Sequence, residues 1–119
     1  MNMLSRILVI AFLLTFSQIS IAAGYSPWTI PTRIEWVSGG VLISGAFGDI
    51  NSCGQTDVLF LNQAGGDIES YKIRVSMLIA GFTAQKEMRF YSIVCTSVPF
   101  HYSGNVVNAV HINGLFIRQ

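Results

Sequence analysis

Two cysteines, two histidines and six carboxylates are the side chains of this 119-residue chain whose types could do chemistry. Cys53 and Cys95 stand far apart with no C-x-x-C partner, and only His101 and His111 could join them, so the spacing offers no zinc set and no redox motif. The pair reads instead as a single structural disulfide, which loop closure values at about 4 kcal/mol. His111 falls between Val110 and Ile112 in an alternating stretch and faces away from both, as a surface or interface residue does. General acid–base work needs a second, positioned group. Asp49, Asp57 and Asp67 do not supply it, because each adjoins turn residues, where aspartate caps or bonds its own backbone. There is no G-x-S-x-G, no H-E-x-x-H and no phosphate-cradling glycine loop. The expectation is a protein that is not an enzyme and needs no metal or cofactor, with a small hydrolase using His101 or His111 as the enzymatic alternative. Aromatic residues give a different signal, since flat rings with a polar edge suit sugar faces and protein hot spots. Trp28 and the loop Phe100-His101-Tyr102 are the candidate ligand contacts, whereas Trp36, sharing a face with Ile34, is expected in the core.

The compartment follows from the first residues. Arg6 gives a positive start, Ile7 to Phe16 an apolar stretch, and Ser20-Ile21-Ala22 a small-x-small cleavage pattern. Residues 1–23 therefore read as a signal peptide, too short in its apolar part for the roughly 20 residues of a spanning helix. Export places the protein in the periplasm or outside the cell, with no membrane span after cleavage, where a cysteine pair oxidises.

Residues 24–119 then make one small domain. Its cations Arg33, Lys72, Arg74, Lys86, Arg89 and Arg118 balance its carboxylates, and the absence of a basic face excludes nucleic acid as a partner. Few charges and many Val, Ile, Phe and Tyr leave a surface suited to being covered, which points to a homo-oligomer.

The elements follow from hydropathy period. Pro27 and Pro31 favour an extended segment over 25–32. Arg33–Val37 and Val41–Phe47 alternate as a hairpin about Gly39-Gly40, and Asp57–Leu61 is a third strand ending at the Gly65-Gly66 breaker. From Asp67 to Thr83 the period becomes helical, with Ile68, Tyr71, Val75, Leu78, Ile79 and Phe82 on one side and Lys72, Ser76 and Thr83 opposite. Asp67 is the predicted N-cap, and Gly81 weakens the last turn. Lys86–Cys95 alternates again, with Met88, Phe90, Ser92 and Val94 on one face. Val106–Ile117 is a closing strand or strand pair broken at Asn113-Gly114. Strands with a single helix between the third and fourth predict a mainly β fold, a small OB-like Greek-key barrel, with an α+β sandwich as the alternative.

The run Ser70-Tyr71-Lys72-Ile73-Arg74-Val75-Ser76-Met77-Leu78-Ile79-Ala80-Gly81-Phe82, then Lys86-Glu87-Met88-Arg89-Phe90-Tyr91, then Val107-Asn108-Ala109-Val110-His111-Ile112 gives this chain, from Cys53 onward, a layout of helix, strand and closing strand. With the leader and the single cysteine pair, that layout resembles the small secreted B subunits of bacterial A-B toxins, in particular the subtilase-cytotoxin and pertussis-like group. The resemblance implies an OB-fold that assembles into a ring and binds a cell-surface glycan. It carries across no glycan-contact residue, because no matching motif is present. The functional expectation is an exported, self-associating, glycan-binding module, and the alternative is a structural or partner-binding protein with no glycan activity.

Overall fold

The computed structural model describes residues 3, 24–63, 67–98 and 106–119. The leader expected over 1–23 lies outside them apart from Met3, and so does the whole of Phe100-His101-Tyr102. Among the described residues seven strands in two sheets and one helix make the fold mainly β.

The hairpin forms as its alternation predicts. Strand β1 (Arg33–Val37) pairs antiparallel with β2 (Gly40–Ser44) across a two-residue turn, in which Gly39 takes the positive φ of 89°. Strand β3 (Val58–Asn62) adds antiparallel to β2. Helix α1 (Ile68–Thr83) follows, then β4 (Glu87–Phe90), β5 (Val94–Ser97), β6 (Val106–Ala109) and β7 (Leu115–Arg118). The larger sheet runs β1-β2-β3-β6-β5, with β6 parallel to β3, and the smaller one is β4-β7. The two long alternating stretches are thus each broken in two. Between the two ladders Tyr91 N–H donates to the Gly114 carbonyl and His111 N–H to the Tyr91 carbonyl, so the two stretches stay side by side at the break.

Extended segment 24–32 links the sheets. Ser26 and Thr29 N–H donate to the carbonyls of Phe90 and Met88, and Ser92 N–H donates to the Gly24 carbonyl. At the far end of this segment Thr32 N–H donates to the Ser44 carbonyl, continuing the β1–β2 ladder.

Inside, Val41, Ile43, Phe47, Leu59, Leu61, Tyr71, Leu78, Met88 and Phe90 belong to the main core. The opposite face of the larger sheet has its own apolar cluster, in which Leu42, Val58 and Phe60 meet Val37, Val98 and Val107. Strands buried on both faces explain why β2 and β3 read as apolar runs.

Helix α1 starts as expected, with the Asp67 carboxylate accepting from Ser70 N–H. Its inward face differs. Tyr71, Arg74, Leu78 and Gly81 are buried, while Ile68, Ile73, Met77 and Ile79 are exposed. At 3.6 residues per turn, that face is rotated by about 60° from the most apolar side. Gly81 supplies the reason, since a Cβ there would lie 3.0 Å from Met88 Sδ and 3.2 Å from Ile117 Cδ1. The last turn of the helix approaches β4 and β7 closely where Gly81 has no side chain.

Cys53 and Cys95 form the expected disulfide. Beside it, Asn108 is fully buried on β6, where its Oδ1 accepts from Asn51 N–H at 2.8 Å and its Nδ2 donates to Asp49 Oδ1 at 2.9 Å. Asp49 also accepts from Cys53 and Gly54 N–H, and Asn51 Nδ2 donates to the buried Ser92 hydroxyl. The loop before β3 is thereby laced to β5, β6 and the end of β4.

This network makes stability depend on acid. Desolvation works to raise the Asp49 pKa, but the hydrogen bonds from Asn108, Gly54 and Cys53 outweigh it and hold the carboxyl below the usual range. A depressed folded-state pKa contributes stability above the unfolded value that is lost as pH falls, so this contribution disappears below about pH 4. Asn108→Ala removes one of the three donors to Asp49 and leaves Asn51 N–H without its acceptor, and is expected to cost about 1–3 kcal/mol at neutral pH in urea unfolding and to flatten the acid limb. For the helix, Gly81→Leu is expected to lose about 1–3 kcal/mol by overpacking, despite leucine's higher helix propensity, in the same measurement.

Candidate functional site

Strand alternation builds the outer face of the smaller sheet. Because Met88 and Phe90 enter the core, Glu87, Arg89 and Tyr91 point outward. Strand β7 sets Phe116 opposite Arg89 and Arg118 opposite Glu87. Segment 24–32 adds Tyr25, bridged to Tyr91, and Trp28.

These side chains form a continuous wall. The Tyr25 ring centroid is 4.8 Å from that of Tyr91 and 6.2 Å from that of Phe116. Tyr91 meets His111 edge-on at 5.5 Å. The Arg89 guanidinium lies 4.3 Å from the Tyr25 centroid and 6.0 Å from that of Trp28, and the Arg118 guanidinium lies 4.5 Å from Trp28. Arg118 Nε donates to Glu87 Oε2 at 2.6 Å, which fixes the cation over the indole. Arg89 Nε is buried without a hydrogen-bond partner. Each cation–π contact at such a half-open site is worth about 0.5–1 kcal/mol, so their combined effect is to hold the rings in fixed attitudes. Flat apolar faces flanked by guanidinium donors can stack on one face of a ligand ring while accepting its polar edge.

Of the four candidate contacts, Trp28 is in this wall, half-buried against Arg118. Phe100, His101 and Tyr102 lie outside the described residues. His111 is in the turn between β6 and β7 instead of mid-strand, and its Nδ1 accepts from Asn113 N–H at 3.1 Å. Among the described residues there is no cluster of three or more His, Cys, Asp or Glu able to hold a metal. Arg89, Arg118 and Phe116 escaped the sequence reading, because alternation assigns them only to an outer face. That β4 and β7 are neighbours, and that Tyr25 and Trp28 lean on them, depends on pairing between distant segments.

Trp36 corrects the expectation of a core residue, being 71% exposed. It does share the inner face with Ile34, which packs on the core. Strand β1 is the end strand of the sheet, however, and an open groove separates it from the helix. Trp36 is left on the rim of a groove of about 240 Å³ lined by Ile34, Val41, Val75, Leu78 and Ile79 together with Glu35. At the other end of the sheet, Ile93, Val94, Val110, His111 and Ile112 line a second groove of about 280 Å³ beside β5. Both grooves are mainly apolar and lie at opposite ends of the larger sheet. No described helix is long and apolar enough to cross a membrane.

The two tryptophans give a direct check. Trp36 alone, in Trp28→Phe, is expected to emit near the wavelength of free indole and to be quenched readily by acrylamide. Trp28 alone, in Trp36→Phe, is expected to be blue-shifted and several-fold less quenched, in keeping with its partial burial.

Compared with known protein families, with curated proteins and with solved structures, the chain matches none.

Proposed function

We propose that this chain is an exported, non-enzymatic binding module, an OB-like barrel that self-associates and presents the Tyr25–Trp28–Tyr91–Phe116 wall to a cell-surface glycan. The observation that carries the reading is the stacking of Arg89 and Arg118 on that wall, which prepares rings and donors together at one outward face. Preorganised aromatic side chains lose little conformational freedom on binding, which favours contact with a sugar ring. The disulfide fits an oxidising location.

Several features support the barrel. The sheet order β1-β2-β3-β6-β5, the parallel β3–β6 pair and the helix between β3 and β4 are those of a five-stranded Greek key. Bridges from segment 24–32 to β4 bring the ends of the two sheets together. Self-association is supported by the two apolar grooves, because unlike surfaces at opposite edges suit head-to-tail contact between copies. The exposed Trp36 groove also favours a second reading, in which the ligand is a protein partner and no glycan is bound.

A glycan array probed with the disulfide-bonded protein, together with sedimentation, tests both. Trp28→Ala and Arg89→Ala are each expected to weaken a glycan signal about five- to tenfold, with the fold intact. Trp36→Glu is expected to lower the sedimenting mass while leaving single-site sugar affinity unchanged. A silent array removes the glycan reading, and a monomer at all concentrations removes self-association.

A further inference from the structure

Arg74 occupies the middle of the inward face of α1, between Tyr71 one turn before it and Leu78 one turn after it. It is 6% exposed, and Nε and both terminal nitrogens are buried with no hydrogen-bond partner among the described residues. The Tyr71 hydroxyl, on a side chain 5% exposed, is also buried and unpartnered. The guanidinium carbon is 5.9 Å from the Tyr71 ring centroid. Burial raises the Tyr71 pKa, with the Arg74 charge acting the other way, so the hydroxyl stays a proton donor within electrostatic reach of the cation. A guanidinium does not discharge at any pH a folded protein meets, and burying it unpaired is strongly unfavourable.

Among the described residues no carboxylate forms an ion pair with Arg74. Of its six acidic side chains, Glu35 pairs with Arg33, Glu69 with Lys72 and Glu87 with Arg118. Asp49 is held in the Asn108 network, Asp67 caps the helix, and Asp57 is exposed before β3. All six lie among the described residues, so neither 64–66 nor 99–105 holds a carboxylate that could reach Arg74.

We infer that Arg74 and Tyr71 form a receptor for an oxyanion supplied from outside the chain. The planar fork of the guanidinium is matched by two oxygens of a carboxylate, phosphate or sulfate group, and the phenol hydroxyl donates to one of them. Neither residue belongs to the aromatic wall, so this is a second site, independent of glycan binding. It adds an anchor on the helix that responds to the anion content of the surroundings.

Thermal unfolding of the disulfide-bonded protein tests it, with phosphate, sulfate and acetate titrated at constant ionic strength against chloride, at several protein concentrations. Arg74→Met runs in parallel, keeping the chain length and removing the charge. The wild type is expected to gain several degrees with saturation in an oxyanion, and Arg74→Met to keep only the unsaturable salt response common to proteins. Stability that rises with protein concentration instead of added anion, and does so only with Arg74 present, assigns the oxyanion to a carboxylate of a second copy. Identical anion and concentration responses in the two proteins overturn the inference. Should Arg74→Met fail to fold, the phosphorus NMR line of inorganic phosphate decides. Broadening by the wild type that Tyr71→Phe reduces supports the site, and no broadening by the wild type overturns it.

Discussion

Asn108 is a carboxamide fully buried on β6, and its hydrogen bonds to Asn51 N–H and Asp49 hold the loop before β3 against the strand that runs parallel to β3. A parallel pair has no tight turn to set its register, so it needs a constraint of another kind. Here only Leu59 with Asn108 and Phe60 with Ala109 are in register partnership. The adjacent Cys53–Cys95 bridge fixes the same loop to β5 covalently, with the Cys53 sulfur 3.0 Å from Asn108 Oδ1. If the carboxamide is unsatisfied, the join between the N-terminal meander and the C-terminal strands loses its polar partners, and burial makes each loss costly.

That join has consequences at the opposite surface. Ser92, hydrogen-bonded to Asn51, stands where the chain passes from β4 to β5, and Tyr91 beside it pairs with Tyr25. Segment 24–32 is held by backbone bonds to β4 and by the Ser26 hydroxyl, which accepts from Phe90 N–H inside the core. Tyr25 and Trp28 are therefore carried by a segment without strand structure of its own, yet their backbone is tied at both ends. Stacked Arg89 and Arg118 then order the rings from outside. Rigidity of the wall is inherited from the core beneath it, where Phe90 meets Phe47 edge-on at 5.1 Å.

Helix α1 shows tertiary packing overriding amphipathicity. Its most apolar side includes Ile68 and Ile79, but contact with β4 and β7 is made where Gly81 lets the backbone approach, and Arg74 is buried as a result. Propensity and pattern are weak constraints compared with the fit of a helix on a sheet. Ile68 and Ile79 stay exposed, Ile79 beside the Trp36 groove, so the same rotation accounts for both the buried cation and the uncovered apolar surface.

Local period and turn chemistry were enough to locate the first hairpin, the third strand, the Asp67 cap and the extent of α1, because each depends on residues a few positions apart. Two cysteines alone with no metal-type spacing were enough to pair them. Hydropathy also gave the break near Asn113-Gly114, since a turn interrupts alternation wherever it falls. Sequence could not supply the partners across those elements. The parallel β3–β6 pair, the docking of Tyr25 and Trp28 on β4, the exposure of Trp36 and the burial of Arg74 each depend on contacts between distant residues. Alternation states which side of a strand a residue is on, and only the assembled neighbours decide whether that side is covered.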